Sequence, residues 1–330
     1  MSVQTELDRL NAAKNSLKTA IDGKGVAVPD STKLDGYSAL VEQIESIADV
    51  PVYNGETDPD TPGGGGNVDP PDDGKTRLYI TVPANAMPDR PPPRNQVPLC
   101  FKQSVQNGVT IDWGDGTAVE VAESLPINGV VNTTHTYEHG GDYVISLDPI
   151  EGCGLSLGSG YYSRCVMGDT SAAGFVYCNM LKRVVFGSKN VIDIGSYAFR
   201  NCYSLEYVLI PDGVTSIGER AFEGCYSLQS LIIPDSVTDL KTFSFGNCHG
   251  LPSIIIPSNV ISIGSYCFYN CRGVKEYHFL PTIPPTLKGS ASFDSIPSDC
   301  IIYVPKGSAE AYKTATNWTT VADHIQEEPA

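Results

Sequence analysis

The sequence carries little positive charge for its length. Its 330 residues include 22 lysines and arginines against 38 aspartates and glutamates, giving a formal net charge of −16, and the basic residues form no cluster. Proteins that bind nucleic acid neutralise backbone phosphates with basic side chains. The composition therefore argues against a nucleic-acid partner.

Long hydrophobic runs are also absent. No apolar segment approaches the roughly 20 residues that a helix needs to cross a bilayer, so no membrane insertion is expected. The amino-terminal segment MSVQTELDRLNAAKNSLKTAIDG has no basic stretch followed by an apolar one, unlike a secretory signal. We therefore expect a chain that is made and kept in the cytoplasm, unless it leaves by lysis or by an unusual route.

No set of residues matches a catalytic or metal-binding pattern. Cys267 and Cys271 supply only half of a zinc-ligand motif. His249 and His278 occupy variable positions in a repeat, which favours exposure over ligation. The histidines are scattered and none accompanies a nucleophile in a known motif: His135, His139, His249, His278 and His324. We expect no enzymatic activity, no cofactor and no metal.

Residues 1–49 are predicted to form two helices. Apolar residues in the first helix follow the 3-4 spacing of a helix seam: Val3, Leu7, Leu10, Leu17 and Ile21. The seam fits a short coiled coil, or a helix that packs on its own neighbour. Fewer than 50 residues bury little surface alone, so these five residues are candidate contacts with another protein or within a homo-oligomer such as a trimer. An acidic, Pro/Gly-rich linker follows over residues 50–75.

Residues 76–150 are predicted to form a β-sandwich of short strands and turns, with a tight turn at Asp115-Gly116. The phrases VTIDWGDGTAVEV and NTTHTYEHGGDYVISL resemble the PKD domain, an immunoglobulin-like sandwich. The resemblance implies a spacer or binding module. Asp112 and Asp115 could hold Ca²⁺, but capping of the turn is the favoured role. For His135 we favour a structural hydrogen bond.

A unit of 23 or 24 residues recurs from about residue 178 to residue 300. Each unit reads L-x-x-V/I/L-x-I-P-x-x-V-x-x-I-G-x-x-x-F-x-x-C. The cysteines that mark the register are Cys178, Cys202, Cys225, Cys248 and Cys271. One unit cannot bury its apolar face, whereas stacked units share a continuous core. The repeat therefore predicts a solenoid in which Leu205, Val208 and Ile210 have the spacing of a leucine-rich-repeat strand that the Ile-Pro step ends.

The repeated cysteines are interpreted as packing residues. Equivalent side chains in stacked turns point the same way, which disfavours a ladder of disulfides. Free cysteine is among the most buried residue types. We therefore expect small, buried, unbridged thiols at the corner of each turn, in keeping with synthesis in a reducing compartment.

Phrases such as IPDGVTSIGERAFEGCYSL resemble the BspA-type leucine-rich repeat, and the resemblance extends over residues 178–325. It implies a transition and N-terminal cap over residues 151–177 and a solenoid over residues 178–305. The closing segment, IPSDCIIYVPKGSAEAYKTATNWTTVADHI, resembles the usual end of such arrays. A capping helix with Tyr312 and Trp318, followed by a tail, is thus expected over residues 306–330. These arrays serve as adhesin and recognition surfaces in unrelated settings.

The outer surface of such a solenoid is where a ligand would bind. The candidate positions on the strands are Lys182, Arg183, Glu206, Tyr207, Leu209, Gln229, Ile232, Lys275 and His278. The convex-side candidates are Tyr197, Arg220, Phe243 and Tyr266. Exposed tyrosine and arginine suit recognition, and aromatic faces can stack on sugars. A solvated surface without a ligand fits each single residue equally well.

The first 49 residues resemble N-terminal segments of bacteriophage tail and fibre proteins. That resemblance implies a virion tail-fibre or receptor-binding protein assembled in the host cytoplasm. Its N-terminal segment would attach to other virion proteins, and its solenoid would bind a bacterial surface glycan or protein. Two alternatives stay open: a BspA-type adhesin at the bacterial cell surface, and a virion structural or decoration protein without receptor binding.

Overall fold

A computed structural model of the protein describes residues 73–84, 95–123, 129–158, 164–169, 179–187 and 191–329. The predicted helices of residues 1–49, most of the predicted linker, and Cys178 lie outside these residues. Within the described ranges, no helix combines the length and apolar character that crossing a membrane requires.

The first described part of the chain contributes mainly antiparallel strands. These strands are β1 (Thr76–Val82), β2 (Gln96–Gln103), β3 (Val109–Asp112), β4 (Glu120–Val121), β5 (Val130–Thr136), β6 (Gly141–Pro149), β7 (Leu155–Leu157), β8 (Arg164–Cys165) and β9 (Gly168–Asp169). The last two pair only with each other.

The repeat folds as a β-solenoid in which each turn adds strands to two parallel rows. The first row comprises β10 (Leu181–Val185), β12 (Tyr207–Leu209), β14 (Ser230–Ile232), β16 (Ser253–Ile256), β18 (Glu276–Phe279) and β20 (Ile301–Val304). The second row comprises β11 (Val191–Ile194), β13 (Ser216–Ile217), β15 (Asp239–Leu240), β17 (Ser262–Ile263) and β19 (Thr286–Leu287). The register advances by one repeat, so that Tyr207 pairs with Ser230.

The antiparallel strands and the solenoid share their sheets. One sheet has the order β14-β12-β10-β1-β6-β3-β4, and another has the order β19-β17-β15-β13-β11-β7-β2-β5. Leu78 of β1 pairs with Val184 of β10, and Phe101 of β2 pairs with Leu157 of β7. One hydrophobic core runs through both parts. A separate PKD-like sandwich is therefore not shown, because its strands extend the solenoid sheets.

Inside the solenoid, the repeat positions pack as their spacing predicts. Leu205, Val208 and Ile210 are at most 4% exposed. β16 ends directly before Pro257, because proline has no N–H for the next ladder bond. The phenylalanines of successive turns stack with ring centroids 5.1 to 5.8 Å apart: Phe199, Phe222, Phe245, Phe268 and Phe293.

The cysteines form a ladder of buried thiols, as predicted. All nine described cysteines are buried and unbridged. The thiol of Cys225 donates to the carbonyl oxygen of Phe199 at 3.2 Å, and the thiol of Cys248 donates to that of Phe222 at 3.2 Å. Each thiol therefore satisfies a carbonyl of the preceding turn while filling the corner. Among the described residues, no group of three His, Cys, Asp or Glu side chains could hold a metal ion.

The turn after β3 is held by carboxylates. Asp112 Oδ1 accepts a hydrogen bond from the N–H of Gly114 at 2.9 Å, and Asp115 Oδ1 accepts one from the N–H of Thr117 at 3.1 Å. His135 Nε2 lies 2.6 Å from Asp115 Oδ2. The predicted turn-capping role of both aspartates and the structural role of His135 are confirmed.

The C-terminal end is closed by two short helical pieces. Helix α1 (Ala309–Thr314) contains Tyr312, and the 3₁₀ helix Trp318–His324 begins at Trp318. Asn317 separates them because its backbone is left-handed, with φ of 68°, so the single capping helix of the prediction is divided. A final strand, β21 (Ile325–Glu327), pairs with β20 and completes a sheet of the order β16-β18-β20-β21. The Tyr312 hydroxyl and the Trp318 indole N–H donate to carbonyls of the preceding turn.

Candidate recognition surfaces

Charged side chains lie along the outward side of the first-row strands. The ammonium of Lys182 lies 3.9 Å from Glu206, that of Lys275 lies 3.0 Å from Asp299, and Gln229 is exposed. Both ion pairs are solvent-exposed, so each contributes little to stability. These side chains remain available to a partner.

Arg183 lies between two tyrosine rings on the same side of the sheet. Its guanidinium carbon is 5.0 Å from the ring centroid of Tyr79 and 5.2 Å from that of Tyr207. Burial lowers the pKa of Arg183 and raises the pKa of Tyr207. The electrostatic interaction between the two side chains opposes both shifts, because it raises the pKa of Arg183 and lowers that of Tyr207. Tyr79 escaped the sequence-based prediction because it comes from β1, more than a hundred residues before its stacking partner.

One outward position of every first-row strand belongs to a row, called the outer row here, whose strand pairing is interrupted between β14 and β16. Leu209 and Ile232 are half-buried, and Ile255 is 9% exposed. The ladder pairs Val185 with Leu209 and Leu209 with Ile232. Its members are Val185, Leu209, Ile232, Ile255, His278 and Tyr303. The outer row is aliphatic over four turns and ends in two stacked rings, His278 and Tyr303, with centroids 5.1 Å apart.

His278 is not exposed, contrary to the sequence-based expectation. Its side chain is 12% exposed, with Nδ1 lying 2.7 Å from Glu328 Oε1 and Nε2 lying 3.3 Å from Glu276 Oε2. The expectation is wrong because the segment after β21 brings Glu328 over the ring. Burial alone would lower the pKa of His278, but the two carboxylates outweigh it and raise the pKa above its usual value.

Tyr197, Arg220, Phe243 and Tyr266 occupy equivalent corners of successive turns and are called the corner ladder here. All four have left-handed backbones, with φ between 55° and 65°. The rings of Phe243 and Tyr266 stack at 4.6 Å with an angle of 5° between planes. The expected exposure holds for Tyr266, at 38%, but not for Tyr197, at 5%. Neighbouring side chains cover Tyr197: the Arg200 guanidinium lies 5.6 Å from the ring centroid.

A second ladder, missed in the sequence, consists of Tyr203, Tyr226 and His249. Consecutive rings lie 4.8 Å apart and are nearly parallel. Tyr226 is 45% exposed, whereas His249 is half-buried rather than exposed as expected. Burial and the nearby charge of Arg272 lower the pKa of His249. The signal was present in the sequence, because each of these residues directly follows a repeat cysteine.

The described surfaces therefore offer stacking, aliphatic contact and exposed ion pairs. The candidate residues Val3, Leu7, Leu10, Leu17 and Ile21 lie outside the described part of the chain, and their contacts remain predictions.

Comparison with known proteins identifies the repeat. Residues 170–293 match the model of the BspA type leucine rich repeat region in six copies. No curated protein matches the sequence.

Solved leucine-rich-repeat structures also resemble parts of the chain. A Bacteroides ovatus leucine-rich repeat protein is 25% identical over 61% of this chain and 47% of its own, with a TM-score of 0.35. A T. pallidum leucine rich repeat protein is 31% identical over 27% of this chain and 42% of its own, with a TM-score of 0.27. A leucine rich cell surface protein from Faecalibacterium prausnitzii is 30% identical over 33% of this chain and 36% of its own, with a TM-score of 0.27. The chain thus spans less than half the length of each of these proteins.

Proposed function

We propose that this protein is a bacterial surface adhesin of the BspA type that binds a protein partner through the outward side of its first-row strands. The observation that carries the proposal is the outer row, which presents Leu209 and Ile232 at paired positions of adjacent turns, with the equivalent aliphatic residues Val185 and Ile255 on either side.

The composition of this side fits a protein partner. Contiguous apolar patches on a soluble surface mark interaction sites, since solvent exposure of such groups is unfavourable. The aliphatic residues are bordered by the Lys182–Glu206 and Lys275–Asp299 pairs. An apolar centre with a polar rim is the usual anatomy of a protein interface. Arg183 and Tyr207, at one end, are the residue types that dominate binding energy in such interfaces.

The comparisons favour the adhesin over the tail-fibre interpretation. The repeat that forms the outer row belongs to the region matching the BspA-type family, and one similar protein is described as a cell surface protein. Neither the tail-fibre function nor the virion location gains support from them. That interpretation rests on residues 1–49, outside the described residues, and remains a prediction.

Fractionation tests the location. Uninfected cells that produce the full chain are treated with protease while intact, and the remaining protein is quantified. A surface adhesin should be degraded with intact cells and found in the wall fraction. Protein that survives treatment, and that sediments with particles released after prophage induction, would contradict the proposal.

A charge-insertion experiment tests the binding surface. The labelled full-length protein is applied to panels of bacterial and epithelial cells, and bound protein is measured by flow cytometry. Leu209→Glu combined with Ile232→Glu should reduce binding at least tenfold. Thr215→Glu combined with Thr238→Glu is the matched control, because both threonines are exposed at the second row.

Protease treatment of the target cells should abolish binding if the partner is a protein. Binding that is unchanged by the outer-row variant would contradict the assignment of the surface. Circular dichroism melting of each variant verifies that the solenoid is intact.

A further inference from the structure

The corner ladder stops at Tyr266. Phe243 covers one face of the Tyr266 ring, and Tyr269 meets the ring nearly edge-on at 5.8 Å and 78°. The equivalent residue of the next turn is Ala291. Its carbonyl oxygen accepts a hydrogen bond from the N–H of Asp294, just as the carbonyl oxygen of Tyr266 accepts one from the N–H of Tyr269. An alanine methyl cannot cover an aromatic ring. Tyr266 therefore keeps an uncovered face, in agreement with its 38% exposure.

The other strongly exposed ring does not have this property. Tyr226 is 45% exposed, yet Tyr203 stacks on one of its faces and His249 on the other. Its exposed surface consists of ring edges. Tyr266 is thus suited to stacking on a ligand, and Tyr226 provides a natural control.

A shallow cleft lies at the turn that carries Ala291, one turn further along the solenoid than Tyr266. Ser290 and Asp294 flank Ala291 and both line this cleft, whose far wall comes from the 3₁₀ helix. Its volume is about 210 Å³. Pockets for drug-sized ligands measure roughly 300–1,000 Å³, so this one suits a single small ring. The lining residues are Ser290, Phe293, Asp294, Ser295, Ile296, Thr320, Val321 and His324.

The cleft offers mainly hydrogen-bond acceptors. The His324 Nδ1 lies 2.7 Å from the carbonyl oxygen of Cys300, which can only accept, so Nδ1 carries the proton and Nε2 of the neutral ring is an acceptor. In the described part of the chain, the Asp294 carboxylate forms no ion pair or hydrogen bond. Ser290 and Ser295 add hydroxyl groups that accept or donate.

We propose that Tyr266 and this cleft form a binding site for a neutral hexopyranose. Such a sugar presents C–H groups on a ring face, which pack on an aromatic face, and hydroxyl donors around its rim, which match the carboxylate and imidazole acceptors. The free Asp294 and the net charge of −16 disfavour anionic sugars. This site differs from the outer row in position and in ligand class, and it goes beyond the proposed adhesin contact.

Saturation-transfer NMR with the full-length protein tests the site. The probes are the methyl glycosides of glucose, galactose, mannose and N-acetylglucosamine. We expect transfer to one or more of these, strongest at the protons of one ring face. Tyr266→Ala should weaken binding at least tenfold, and Asp294→Asn should also weaken it. Tyr226→Ala should leave binding unchanged, although it removes a more exposed ring.

A second variant guards against misfolding. If Tyr266→Ala does not fold, Tyr266→Asn replaces it, because asparagine tolerates the left-handed backbone at this position. Three results would overturn the proposal: no transfer to any of the four glycosides, binding that persists without the Tyr266 ring, or binding of a proline-rich peptide in place of sugars. The outer-row variant Leu209→Glu with Ile232→Glu should retain sugar binding, so the two proposals succeed or fail separately.

Discussion

The guanidinium carbon of Arg220 lies 4.2 Å from the centroid of the Phe243 ring in the next turn. The same guanidinium donates to the carboxylate of Glu223 at 2.7 Å, and Arg200 donates to the other oxygen of that carboxylate at 2.7 Å. Glu223 is only 8% exposed. Arg220 thus shares a buried acid with Arg200 and also covers a ring of the following turn, which gives it a structural role in the solenoid.

Arg220→Ala should lower the free energy of unfolding by about 1–3 kcal/mol, because it leaves a buried carboxylate with one partner and removes the cation–π contact. The measurement is equilibrium urea denaturation. Glu219→Gln is the matched control: Glu219 pairs with the same arginine at 3.6 Å on the surface and should cost less than about 1 kcal/mol. Equal effects of the two substitutions would contradict the structural role of Arg220.

The repeat cysteines should resist alkylation in the native protein. Burial raises the pKa of Cys271 to about 12 and places that of Cys248 well above its usual value. Since the thiolate is the reactive form, iodoacetamide should modify both only after unfolding. Mass spectrometry of the digested protein gives the extent of modification. Ser258→Cys places a thiol at an exposed position as a control, and labelling of Cys248 at the control's rate would refute the prediction.

Docking of β21 should depend on pH through His278. The folded pKa of His278 lies above its usual 6.5, so the protonated ring contributes stability below about pH 6.5, and this contribution is lost as pH rises through the folded pKa. Hydrogen exchange of Ile325–Glu327, corrected for intrinsic rates, should show greater protection at the lower pH. Glu276, Glu328 and Tyr303 are the ionisable groups facing the ring.

His278→Gln serves as the reference for this dependence, because glutamine can donate a hydrogen bond but does not titrate. Protection of β21 in that variant should vary less with pH than in the parent protein. An identical pH profile in both proteins would assign the effect to another group.

Gly264→Ala should destabilise the solenoid by about 1–3 kcal/mol through overpacking. A Cβ at this position would lie 2.4 Å from the backbone nitrogen of Thr242 and 2.5 Å from the carbonyl carbon of Lys241, and backbone cannot move aside. Thermal denaturation reports the change. Lys241→Ala, at the equivalent position one turn earlier, removes only a partly exposed ion pair with Asp239 and should cost less than about 1 kcal/mol.

The features that the sequence predicted well are those with a local, repeating cause. Leu205, Val208 and Cys225 recur at fixed offsets, so stacking alone determines that they are buried. What escaped prediction depends on residues far apart in the chain. The pairing of β1 with β10 and the Tyr79–Arg183 contact join segments separated by about a hundred residues and leave no periodic signal.

The candidate surfaces also divide into positions predicted from the repeat and positions that depend on distant residues. Outward positions such as Leu209 and Ile232 were assigned from the strand period, and the structure places them in one row. The enclosure of His278 was not foreseeable, because its partner Glu328 lies 50 residues later. The burial of Tyr197 was missed for a related reason: it depends on side-chain stacking rather than on repeat position.

The two ends of the solenoid are closed by different elements. Antiparallel strands close one end, and α1, the 3₁₀ helix and β21 close the other. The turns between them all pair in the same register. Tyr207 pairs with Ser230, and Ser253 pairs with Glu276, each one repeat further along the chain. Removing residues 219–241 would keep Gly218 and join it to Thr242, which occupies the position of Glu219 one turn later. Gain or loss of whole units would therefore change the reach of the outer row while preserving both closures, so that this protein can vary its length without altering its ends.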